Sequence, residues 1–266
     1  MRSILNFLLG SKSGEKPNVA VSVGPAPVLV EKKEEIKKEE SGLGSWDKII
    51  KILNVWETGD PSGKPSLISI FNDGSGGRRQ LTLGVGFTED GGNLKTVIKR
   101  YISKGGKFAD FFKKYVDGIG NTKKPSLVND AEFITTLKKA SKEDILMIEA
   151  QREIFEEVYL VGAKKFVKEN GFVLPISWLV FADSTLHSGQ PAPSWLRNKF
   201  SEVPPSKGGA ELAYIRAYLK TRRAWLKSKG GILAKTTYRV DNMISHLEKK
   251  DYYLLQPFYA NGILIN

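Results

Sequence analysis

The chain has 266 residues, 41% of them hydrophobic, with no cysteine and a formal net charge of +12. That length supports one large or two small domains with a sizeable core, and the lack of cysteine excludes disulfides, thiolate zinc sites and cysteine nucleophiles. Residues 1–44 hold seven basic and six acidic side chains, so residues 45–266 carry 34 against 23, a net +11, which attracts polyanions such as nucleic acid, anionic membranes or bacterial cell wall and repels polycations.

The opening MRSILNFLLGSKSG has one early basic residue, a short apolar stretch broken by Asn6 and no small-residue cleavage pattern, so it makes a poor secretory signal. It reads as a short amphipathic docking helix or a frayed terminus, which implies cytoplasmic synthesis and delivery to a cell wall or extracellular glycan by another route. The N-terminal segment would then have its own docking partner. No run approaches the roughly 18 apolar residues of a membrane span. From Ser11 to Gly44 the composition turns to Pro, Gly, Val and Ser and then to the run EKKEEIKKEE, with no periodic apolar face. Residues 1–44 are therefore expected to be a flexible segment and linker, in which pairs such as Glu34 with Lys38 can support a solvated helix. Residues 45–266 form the folded domain.

Ser45 is placed to cap a helix in which Ile49, Ile52, Leu53 and Trp56 recur at three- and four-residue spacing, with Glu57 at its end. Gly59 to Gly63 break the chain. LISIF and RQLTLGVGF then predict two short strands around a glycine-rich turn. Downstream the pattern is helical. Leu94, Val97, Ile98, Tyr101 and Ile102 mark one helix, a long one is predicted from about Glu143 to Asn170 ending at Gly171, and PISWLVFADSTLH is apolar nearly all round, as a central buried helix is. Two more follow, in AELAYIRAYLKTRRAWL and VDNMISHLEKK. The expected architecture is α+β, mainly helical, with one small antiparallel sheet flanking a cleft.

Glycoside hydrolysis needs two carboxyl groups, one to protonate the leaving oxygen and one to activate water or attack. Glu57 and Asp73 lie 16 residues apart on either side of the helix-to-sheet turn, so folding can set them across one cleft. Taken singly, Glu57 is a helix-terminal charge and Asp73 a turn residue before Gly74. Strand alternation directs the Thr82 hydroxyl to the side of Gln80 and Gly84, where it can hold a water, although threonine is also an ordinary strand former. Gly84 and Gly86 permit close approach of a ligand or of another chain segment. GVGFTE has Glu89 where a dinucleotide fingerprint needs its third glycine, and no phosphate loop follows, so no cofactor is expected. His187 and His246 lack a metal-binding motif, so neither is a metal expected. Asp183 and His187, four apart on the most apolar helix, share a face; a buried carboxylate there needs cations, and Arg222 and Arg239 are the candidates.

Taken in order, VWETG, NDGSGGRRQLTLGVGF, FADSTLHSG, GGAELAYIRAYLKTRRAWL, YRVDN and the closing ILIN resemble glycoside hydrolase family 46, the chitosanases, within the lysozyme-like superfamily. The resemblance covers residues 46–266 and implies an inverting endo-hydrolase of β-1,4-linked amino-sugar polymers. Glu57 would be the general acid, Asp73 the general base and Thr82 the water-positioning hydroxyl. Asp183, Arg222 and Arg239 would form a charge network leading back to Glu57, with Arg79 a sugar contact and a carboxyl separation of roughly 6.5 to 9.5 Å. Where the family sets an aspartate for a glucosamine ammonium, this chain has Asn93, with Glu89 and Asp90 nearby. An amide cannot pair with that cation. Together with the basic body this brings peptidoglycan alongside chitosan as a polysaccharide substrate, as for a phage or injected lytic protein. A non-catalytic glycan-binding or assembly module of the same fold is the further alternative. Nucleic acid is not an expected partner, because the lysines are scattered and no recognition motif accompanies them.

Overall fold

The structure is a computed structural model that describes residues 35–189 and 192–266, with the side chains of all of these except 35–44, 192 and 232. The N-terminal docking segment and most of the expected linker lie outside the described residues. The first helix, α1, runs Glu35–Thr58. Ser45 is therefore not its cap: the glutamate- and lysine-rich run before it consists of good helix formers, and the helix propagates back through them. The Ser45 hydroxyl donates instead to the carbonyl of Tyr253, at 3.4 Å.

A three-stranded antiparallel sheet follows, β1 (Ile68–Phe71), β2 (Gln80–Leu83) and β3 (Phe87–Thr88), in that spatial order. The register pairs Phe71 with Gln80 and Ile68 with Leu83. Thr82 faces Ser69 on one side and Thr88 on the other. The predicted second strand is thus split in two by the turn through Gly84 and Gly86, both with positive φ (54° and 126°).

The helices are α2 (Leu94–Ser103), α3 (Ala109–Lys113), α4 (Ala131–Glu143), α5 (Ile145–Ile154), α6 (Val161–Glu169), α7 (Pro175–Ser188), α8 (Ala192–Arg197), α9 (Glu211–Lys229), α10 (Gly231–Lys235) and α11 (Thr237–Glu248). The single long helix expected from Glu143 to Asn170 begins at Ile145 and is broken once along its length. Asp144 caps α5 through its side chain, accepting from the Leu146 amide at 3.0 Å, while its other oxygen accepts from the Tyr101 hydroxyl at 2.6 Å and the Lys107 amide at 2.8 Å. A wide π-turn at Phe155–Tyr159 then separates α5 from α6. The core is continuous across these elements. Leu53, Leu83, Phe87, Phe112, Phe181 and Leu219 are fully buried within it, each contributing about 1.5–3 kcal/mol relative to exposure.

α7 is buried on nearly every side, packed by α1, α6, α9 and α11. A second sheet, beyond the one expected, closes the chain: β4 (Phe258–Ala260) pairs with β5 (Ile263–Ile265) and packs on α1. Its two-residue turn is Asn261–Gly262, with φ of 48° and 81°, the sequence that a tight hairpin favours.

Candidate active site

Glu57 ends α1 one residue before its last position, where the helix emerges from the core, and its side chain is 25% exposed. Its Oε1 accepts from Nη1 of Arg239 on α11, at 2.7 Å. That same nitrogen lies 3.2 Å from Oδ1 of Asp183 on α7, and Nη2 of Arg239 donates to the carbonyl of Trp56 at 2.7 Å. The other carboxylate oxygen of Asp183 accepts from Nη1 of Arg222 on α9 at 2.6 Å, while Nη2 of Arg222 reaches the Asp183 carbonyl at 3.4 Å. Four helices so supply one chain of alternating charge, Arg222, Asp183, Arg239 and Glu57. The Asp183 and Arg222 side chains have no exposure at all.

Two buried charges of opposite sign are tolerable only when their hydrogen bonds compensate for lost hydration. Burial pulls the Asp183 carboxyl up, but the guanidiniums of Arg222 and Arg239 outweigh it and hold the group below the ordinary carboxylate range. Burial opposes the charge of Arg239 as well, and Asp183 and Glu57 outweigh it to push that group upward. His187, one turn beyond Asp183, is pushed down to about 4, first by burial and then by the nearby positive charge of Arg222. It is therefore a neutral imidazole. Its Nδ1 meets the Ser188 hydroxyl at 3.3 Å, and its Nε2 is buried without a partner among the described residues.

On the sheet side, Asp73 lies two residues beyond β1, in the turn. Gln80, the first residue of β2, donates from Nε2 to Asp73 Oδ1 at 2.9 Å and accepts from the Asp90 amide on Oε1 at 2.7 Å. Gln80 is 2% exposed, and it is the residue that sequence reasoning passed over: alternation set it beside Thr82, but only the β1–β2 register shows that it reaches the aspartate. The turn closes through the Gly74 amide on the Arg78 carbonyl, at 2.9 Å. A Cβ at Gly74 would stand 2.6 Å from that carbonyl and 2.8 Å from Asp90 Oδ2, so no larger residue fits.

The two arginines of the turn divide clearly. Arg78 pairs with Asp90 at 2.9 Å and Glu89 at 3.5 Å and donates to the Lys124 carbonyl at 3.0 Å. Arg79 is exposed. Glu89 is further bound by the Ser126 hydroxyl at 2.6 Å and the Leu127 amide at 3.0 Å. Both acids near Asn93 are thus engaged within the protein. Asn93, at the start of α2, donates to the Tyr159 hydroxyl at 3.2 Å. The space that a side chain at Gly84 would occupy is filled by Gln151, whose Oε1 would lie 2.8 Å from the added carbon. The bareness of Gly84 therefore serves internal packing. Thr82 is 6% exposed in the middle strand.

Among the described residues no group of three or more His, Asp or Glu side chains is arranged to hold a metal ion, and no helix is long and apolar enough to cross a membrane. His246 is a structural histidine, paired with Asp251 at 2.8 Å and stacked on Phe258. A groove of about 970 Å³ runs along the outer face of α9, lined by residues such as Arg216, Lys220 and Trp225. It lies on the side of that helix away from Arg222.

Solved structures with the same fold include a family 46 chitosanase of Gynuella sunshinyii in complex with chitotetraose (TM-score 0.62, 19% identity, covering 83% of this chain and 96% of that one). A native chitosanase of Bacillus subtilis is similar to the same degree (TM-score 0.63, 18% identity, 84% and 98%). No curated protein sequence matches the chain. The model of glycosyl hydrolase family 46 matches residues 63–258, from just past Glu57 through the hairpin and both arginine-bearing helices to the start of β4. The chain belongs to glycosyl hydrolase family 46 and is a glycoside hydrolase.

Proposed function

We propose that the chain is an endo-acting, inverting hydrolase of β-1,4-linked glucosamine-containing polymers, with Glu57 as general acid and Asp73 as general base. Arg239 holds Oε1 of Glu57, which leaves Oε2 to give its proton to the departing glycosidic oxygen. Asp73 takes a proton from the water that attacks the anomeric carbon from the opposite face, and the Thr82 hydroxyl orients that water. The sugar leaves with inverted configuration, one proton having gone to the leaving group and one to Asp73. Arg79 and Asn93 complete the assignment as sugar contacts, while Gly84, packed against Gln151, drops out of it. The observation that carries the reading is the four-charge chain ending on Glu57, which fixes one oxygen of a helix-terminal carboxylate that is still 25% exposed, the arrangement a positioned proton donor requires. The chitosanases of the same fold, one of them bound to chitotetraose, support the choice of substrate.

Glu57→Gln and Asp73→Asn test it. Each is expected to lower turnover of chitosan oligosaccharides by about 10²- to 10⁴-fold, with product masses from cleavage in heavy-oxygen water locating the bond broken. Ordinary activity in either variant would remove that residue from its role.

A second reading is favoured by one observation: Arg78 engages both Glu89 and Asp90, and Asn93 presents an amide. Glu89 is engaged through both oxygens and the unpartnered Oδ2 of Asp90 is buried, so that stretch presents no accessible carboxylate to a glucosamine ammonium, and the body is basic. An N-acetylated or anionic wall glycan suits such a surface better. Release of soluble fragments from purified sacculi but not from chitosan would decide for it.

A further inference from the structure

Eleven residues before Glu57 on α1, about 16 Å along the helix axis, Trp46 opens a pocket of about 390 Å³ whose lining includes Lys164, Lys168, Val173, Pro175 and Trp178. Its volume and mixed aromatic and charged lining fit the usual range for a small-ligand site, roughly 300–1,000 Å³. The two indoles meet edge to face, with centroids 5.7 Å apart and planes at 81°, and both are only partly buried. Trp46 is fixed from behind: its Nε1 donates to Glu156 Oε2 at 3.0 Å, and Lys164 Nζ binds the same oxygen at 2.8 Å while standing 5.0 Å over the Trp46 ring. Glu156 also accepts from Arg152 Nε at 3.2 Å. Lys168, one turn further along α6, is exposed and has no ion pair among the described residues.

The pocket therefore offers an aromatic corner, a neutralised Glu156 and one uncompensated ammonium. A flat apolar sugar face can stack on an indole, whose rigid ring loses little freedom on contact. The ammonium of Lys168 favours a carboxylate and repels a glucosamine cation. We propose that this pocket is a second glycan-binding site, separate from the catalytic carboxylates, which takes a carboxylate-bearing N-acetylated amino sugar with its ring on Trp178 and its carboxylate on Lys168. The inference rests on the wall-glycan reading above and gives it a point of retention: a polymer held here is kept about three helical turns from Glu57.

The test is a binding measurement on the full chain carrying Glu57→Gln, followed through the indole N–H resonances of Trp46 and Trp178. One titrant is N-acetylglucosaminyl-N-acetylmuramic acid and the other is its neutral counterpart, di-N-acetylchitobiose. Saturable shifts of both indoles are expected, with the acidic sugar binding about two- to fivefold more tightly, and that preference disappearing in Lys168→Glu. Lys168 is exposed, so its variant keeps the fold. Absence of any shift, equal affinity for the two sugars, or a preference unchanged by Lys168→Glu would each overturn the proposal. No turnover is read, so failure of the chain to cleave sacculi would leave a positive binding result standing, and a negative one would say nothing against cleavage.

Discussion

The two carboxylates assigned to catalysis are anchored by different means. Glu57 is tied through Arg239 across 182 positions of sequence, Arg239 through Asp183 across 56, and Asp183 through Arg222 across 39. Asp73 is tied to Gln80 across seven, and the turn is braced by Arg78 to Asp90 across twelve. The place of Glu57 is thus a property of the whole helical packing, whereas Asp73 has a hydrogen bond from within its own hairpin. The turn of that hairpin is braced from outside through Arg78 on the Lys124 carbonyl and through Ser126 and Leu127 on Glu89. Long-range buried charges are costly to disturb because each leaves its partner stranded. A local hydrogen bond at a surface turn can be lost with the rest of the molecule intact.

The largest effect is expected from breaking the buried side. Arg222→Met removes a charge with no exposure and leaves Asp183 facing Arg239 alone. Removing one partner of a buried pair costs about 3–5 kcal/mol, to be read as a lower urea midpoint at unchanged slope. A loss below about 1 kcal/mol would mean that the network is not the anchor described above.

The same region should also make stability depend on pH. His187 titrates at about 4 in the folded protein and at about 6.5 in the unfolded chain. Between those values the unfolded state binds a proton that the folded state refuses, so stability is full above pH 6.5 and falls as the pH drops towards 4. The loss over that window is about 3 kcal/mol, at 1.36 kcal/mol for each pH unit of displacement. His187→Gln has nothing to titrate, and its urea stability should be flatter over the same window. Parallel curves for the two proteins would show that the imidazole is not held neutral by Arg222 and burial.

What the sequence disclosed follows the same division. Arg222 and Arg239 were legible as partners of Asp183, because a carboxylate on an all-apolar helix must find cations wherever they lie in the chain. The Asn261–Gly262 turn was written as plainly, yet the β4–β5 hairpin went unread beside the larger sheet. The continuity of α1 through Ser45 was obscured by composition: a charged run with no apolar face gives no periodic signal even when its residues favour helix. The π-turn at Phe155–Tyr159 has no sequence marker of its own. At the hairpin, two adjacent arginines were equivalent as letters, and only the closed turn separates Arg78, consumed by Glu89 and Asp90, from the exposed Arg79. Gly84 looked like a place for a ligand to approach, and the neighbour that fills it, Gln151, lies 67 positions away.

Gln80 gives the smaller and more selective test of the contrast. Its amide spans the hairpin, donating to Asp73 and accepting from the buried Asp90 amide. Gln80→Leu has a similar volume and removes both bonds, leaving the Asp90 N–H without its acceptor. The expected loss is about 1–3 kcal/mol, less than for Arg222→Met, because only the turn has to readjust. Activity should fall by more than stability accounts for under conditions where the variant is fully folded, since Asp73 loses its orienting donor while the Arg239 contact on Glu57 stays in place. Comparing kcat with KM on the same oligosaccharide separates the outcomes. A fall in kcat at near-constant KM supports a positioning role for Gln80. A variant that is less stable yet turns over normally would show that Asp73 is held by its other contacts, and that the hairpin is more firmly built than its short sequence separations imply.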